Sequence, residues 1–127
     1  MTTTDPTIDD IRAAQAASRA YLNALEADDE AILDDPAFDM PVSVRLVLQQ
    51  VGALLVGLGY GAPTEGDVCT ALLRLKAHIY AASGKRHRLL LTPSAELFAG
   101  HLFSAIYDTK AEAKQAARSV GAVAWNY

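Results

Sequence analysis

Residues 41–60, PVSVRLVLQQVGALLVGLGY, decide how this chain is read, because on a helix their apolar side chains leave room for one narrow polar stripe. Arg45, Gln49 and Gly52 recur at spacings of four and three and fall along that stripe. Val44, Val47, Leu48, Val51, Leu54, Leu55 and Leu58 cover most of the remaining circumference, the pattern of a helix packed on several sides. The expectation is a buried central helix over about 42–58. Leu46 to Thr64 is a charge-free run near the length that crosses a bilayer. Adjacent glutamines at 49 and 50, several glycines and Pro63 interrupt it, and no cluster of Lys or Arg flanks it. A core helix therefore accounts for it better.

Working outward, the 127-residue chain has the size of one domain that buries roughly two thirds of its unfolded surface. Apolar residues make up 51% and charged residues 20%, too apolar a balance for a disordered chain. The lone Cys69 has no internal disulfide partner, and the first ten residues are polar and acidic, so a cytoplasmic setting is expected. The net charge of -4 conceals two opposed parts. Residues 1–40 hold ten acids against Arg12 and Arg19, and residues 41–127 hold five acids against nine bases. The acidic part either lies on the basic remainder or faces a partner.

Start and stop signals divide the chain into helices. Residues 1–6 read as a flexible tail, and Thr7 with Asp10 has the spacing of a reciprocal cap for helix one. Ile8, Ile11, Ala14, Tyr21, Leu22 and Leu25 give that helix a thin, alanine-rich face. The segment 26–39, EADDEAILDDPAFD, gathers seven carboxylates, but it lacks the glycine and spacing of a calcium loop. It reads as a linker. Residues 57–67, GLGYGAPTEGD, form a glycine-rich loop without the lysine or the register of a phosphate loop. Thr64 and Asp67 cap a third helix expected to continue to Ser83, with Gly84 as its stop. Leu89 to Leu91 suit a short extended segment, and Thr92-Pro93 suits the start of a fourth helix. Thr109 with Glu112 opens a fifth, which stops at Gly121 and leaves residues 121–127 as a docked tail. The fold expected is therefore all-α, a single-domain bundle of four to five helices.

No cofactor or metal ligand set is evident. His101, Ser104 and Asp108 are residue types of hydrolase chemistry, but along one helix they form a stripe and do not converge. The leading functional expectation is a non-enzymatic binding or regulatory protein that works through protein contacts, with a homodimer as one form of that contact. Trp125 and Tyr127 are its candidate interface residues. A nucleic-acid-binding regulator is the alternative, through the basic loop Lys85, Arg86 and Arg88 and the basic stripe Lys110, Lys114 and Arg118. A further alternative is a ligand pocket or small enzyme site beside Gly52 and the 57–67 loop.

Overall fold

The computed structural model describes residues 6–27, 41–59, 61–93 and 100–126, and for 124–126 the backbone alone. The acidic linker with Phe38 lies almost wholly outside the described residues, as do the 1–5 tail and Tyr127. The order of elements is α1 (Ile8–Ala27), α2 (Val42–Gly57), α3 (Glu65–Leu73), β1 (Lys76–Ala81), β2 (His87–Thr92), β3 (Phe103–Tyr107), α4 (Lys110–Ser119) and β4 (Val123–Asn126). The protein is thus α+β, and the all-α bundle is corrected.

Capping chemistry places the helix starts as the sequence predicts. At α1 the Asp10 amide donates to Thr7 Oγ1 at 3.1 Å while the Thr7 amide donates to an Asp10 carboxylate oxygen at 3.0 Å. Thr64 and Asp67 repeat the same reciprocal pair at α3. At α4 the Glu112 amide donates to Thr109 Oγ1, and Gly121, at φ +65°, ends the helix. Helices α1, α2 and α3 pack on one another.

The expected third helix stops ten residues early. Arg74 leaves helical geometry, and 76–81 run as a strand that pairs antiparallel with β2, Ala77 opposite Leu91 and Ile79 opposite Leu89. Gly84 is a turn residue of this hairpin, at φ +59°. The Ala82 amide donates to the Arg86 carbonyl across the turn. A helix stop and a hairpin turn both need a residue tolerant of positive φ, so glycine alone does not separate them. The expected fourth helix is likewise corrected over its second part, where 103–107 form β3, antiparallel to β2. Within the C-terminal tail, β4 pairs parallel with β1, giving the order β3-β2-β1-β4. Trp125 lies in this strand, and its side chain is not described.

One face of the sheet carries Ala77, Ile79, Leu89, Leu91 and Phe103, all buried, in one core cluster with Ile11, Val47, Leu72 and Ala113. Helix α4 packs on that face through Ala113 and Ala117. The small side chains of these alanines let the helix lie close to the strands. Helix α2 is not the centre of the molecule. It buries the stripe Val44, Val47, Val51 and Leu55, while Val42, Leu46 and Val56 on its outer side are 60%, 50% and 52% exposed. No helix among the described residues is long and apolar enough to cross a membrane.

Candidate functional site

Two surfaces combine exposed chemistry with a defined scaffold. The first is the outer side of α2. Val42, Leu46, Gln49, Ala53 and Val56 follow one another at alternating steps of four and three, the spacing that keeps a helical stripe aimed in one direction. All five are exposed. Alongside lies an open cleft of about 320 Å³ between α2 and the start of α3, lined in part by Arg45, Leu48, Gly52, Val56, Pro63 and Glu65. This is the place the sequence marks with Gly52 and the 57–67 loop. An added methyl at Gly52 would meet Val68 Cγ2 at 3.7 Å, ordinary contact, so the packing of α3 does not require glycine there. The cleft is open to solvent and combines the apolar Leu48, Val56, Pro63 and Val68 with the polar Arg45, Gln49 and Glu65.

The second surface is the other face of the sheet, at its hairpin end. Tyr80 on β1 stands opposite Arg88 on β2, which stands opposite Ile106 on β3, so the three form a row across the strands. Tyr80 and Ile106 are 39% and 40% exposed. The row behind it is His78, Leu90 and Ser104, with His78 buried and the other two half-buried. The His78 and Tyr80 rings lie nearly parallel, 10° between planes and 6.3 Å between centroids. Arg88 donates from a guanidinium nitrogen to Ser104 Oγ at 2.7 Å, which fixes the cation over the sheet. Lys85 and Arg86 are exposed on the adjoining turn.

The six cations expected to act together are therefore divided. Lys85, Arg86 and Arg88 share the hairpin and the open face of the sheet. Lys110, Lys114 and Arg118 sit on α4, which packs on the opposite face. His101, Ser104 and Asp108 do not share a helix edge. Ser104 is on β3, while His101 and Asp108 precede and follow that strand. Cys69 is buried in α3. Burial pushes its thiol up, the nearby Ser18 hydroxyl partly offsets this, and the Glu65 charge adds to the rise. Such a thiol is a packed side chain rather than a nucleophile. Among the described residues no group of three or more His, Cys, Asp or Glu side chains is arranged to hold a metal ion.

The exposed Tyr80 escapes a helical reading of 64–83, which gives it no special place. Period-two alternation in 103–107, where Phe103, Ala105 and Tyr107 face one way and Ser104 and Ile106 the other, is the signal that points to strands. Comparison with family models, with curated proteins and with solved structures finds no match to this chain.

Proposed function

We propose that this is a non-enzymatic binding protein that works through protein contact, with the outer side of α2 as the contact surface and a second copy of the chain as the partner. The observation that supports this is the exposure of Val42, Leu46 and Val56 together on a single stripe of one helix, whereas the other exposed aliphatic residues, Leu25, Ile106 and Val123, lie on three separate elements. The stripe is self-complementary. In an antiparallel pair of α2 helices centred on Gln49, Val42 faces Val56 of the second copy and the large Leu46 faces the small Ala53, the reciprocal matching that a two-fold axis requires. Each helix offers about 24 Å of length. A seam of that length, with the cleft beside it, is small among specific interfaces, so the association is to be sought over micromolar concentrations.

Sedimentation equilibrium and light scattering over micromolar concentrations test the reading. The natural chain should shift from monomer to dimer, and Leu46→Asp should stay monomeric with an unchanged far-ultraviolet circular dichroism spectrum. A natural chain that remains monomeric throughout, or a dimer indifferent to Leu46→Asp, would defeat it.

A further inference from the structure

We infer that the open, hairpin end of the sheet is a binding site for single-stranded nucleic acid, with Tyr80 stacking on a base and Lys85, Arg86 and Arg88 taking the neighbouring phosphates. Three independent features converge on it. The first is charge: from Leu75 to Ala95 the sequence contains no carboxylate, while it holds Lys76, Lys85, Arg86 and Arg88. The nearest acid along the adjoining strand, Asp108, is exposed just beyond the end of β3. A cationic surface on a chain of net charge -4 is local, so it selects polyanions without making the whole protein adhesive to them.

The second feature is the aromatic platform. Tyr80 is held by the parallel His78 ring behind it and leaves an accessible part of its ring at the surface. Ile106 lies two strands away, about 10 Å at ordinary strand spacing, and supplies an apolar floor for a further base. Stacking on an aromatic ring beside a cationic track is the physical basis of sequence-tolerant single-strand binding. The third is preorganisation. The Arg88 guanidinium, bonded to Ser104 Oγ, sits on the strand next to Tyr80, so a phosphate and a base of one strand can be engaged together. Duplex bases are stacked inside the helix and cannot reach the Tyr80 ring.

This site shares no residue with the α2 stripe, so it stands or falls separately. Fluorescence anisotropy with short single-stranded DNA and RNA oligonucleotides, titrated over a salt series, tests it. Binding at low salt should weaken with a log–log slope near -2, three phosphate contacts at about 0.7 each. Tyr80→Thr, which keeps strand propensity, should lower affinity about fivefold or more with the slope unchanged, and Tyr80→Phe should restore it. The double substitution Lys85→Gln with Arg86→Gln should reduce both affinity and slope. Lys110→Gln, Lys114→Gln and Arg118→Gln together should leave binding intact, because they lie across the sheet. No binding at low salt overturns the inference. Competition by polyglutamate together with indifference to Tyr80→Thr also overturns it, and assigns the hairpin to acidic proteins instead.

Discussion

Gln15 is the residue whose replacement should reveal most about how the two halves of the molecule are joined. It is 2% exposed on α1, and its Nε2 donates both to the Leu72 carbonyl at 3.1 Å and to the Val120 carbonyl at 2.7 Å. Those carbonyls lie at the C-terminal ends of α3 and α4, where helical oxygens have no partner of their own. One amide thus ties the three-helix layer to the helix that covers the sheet. Gln15→Met keeps the length and volume but removes the donor. Removing the donor leaves two carbonyls buried and unpaired at about 1–2 kcal/mol each, so the expected loss is about 3 kcal/mol. Urea unfolding followed by circular dichroism measures it. With a slope of about 2 kcal/mol per molar the midpoint should fall by roughly 1.5 M, and the melting temperature by about 10 °C. Gln15→Glu should be worse at neutral pH, because a carboxylate faces two carbonyl oxygens. Part of that loss should return on acidification, since the buried group's pKa is raised and its neutral form can donate one bond. A Gln15→Met midpoint equivalent to less than about 0.5 kcal/mol of destabilisation would show that the carbonyls find other partners and would refute the reasoning.

Gly52→Ala should stabilise the protein by about 0.5–1 kcal/mol in the same urea assay, because the added methyl meets Val68 at ordinary contact distance and the helix gains the usual preference for alanine; a loss of stability would show that α3 sits closer than it does in the structure. Stability should also decline in alkali. Cys69, Tyr21 and Tyr107 all have pKa values raised foremost by burial, so their neutral forms favour the folded state; that contribution is complete below the unfolded values and is lost as pH rises through the folded ones. Unfolding midpoints should start to fall above about pH 9, and Cys69→Ala should flatten the first part of that decline; a midpoint that is level from pH 8 to 11 contradicts it.

Local chemistry in the sequence marked helix starts well, because a hydroxyl or carboxylate three residues from its partner amide has a single use at Thr7, Thr64 and Thr109. It marked the ends less well. Gly121 does stop a helix, but Gly84 turns a hairpin, and both sit at positive φ. The run Val68, Ala71, Leu72, Leu75, Ile79 keeps helical spacing to the end, so the change of structure after Arg74 is imposed from outside by the pairing of 76–81 with 87–92 and 123–126. Long-range pairing of that kind is invisible to periodicity. The same error hid the open sheet face, since Tyr80 and Arg88 become neighbours through strand register alone. Conversely, charge alone groups Arg88 with Arg118, although one lies on the sheet and the other on the helix that packs on its opposite face. On α2 the helix itself is legible, but its wealth of apolar residues implies burial on several sides, whereas the outer stripe is exposed. Gln15 gave no signal at all, because a polar side chain on a thin alanine-rich face looks like solvent-facing sequence until the two carbonyls it serves are in place.

The parallel pairing of β4 with β1, anchored where the Val123 amide donates to the Leu75 carbonyl, also governs how the molecule can assemble in time. The three strands from β1 to β3 are antiparallel neighbours in chain order, and hairpin pairing of that kind takes microseconds. The fourth must wait for α4 to be laid down and then travel back past two strands to reach the far edge. Until it arrives, a strand destined for the sheet interior offers unpaired amides and carbonyls to any extended chain nearby.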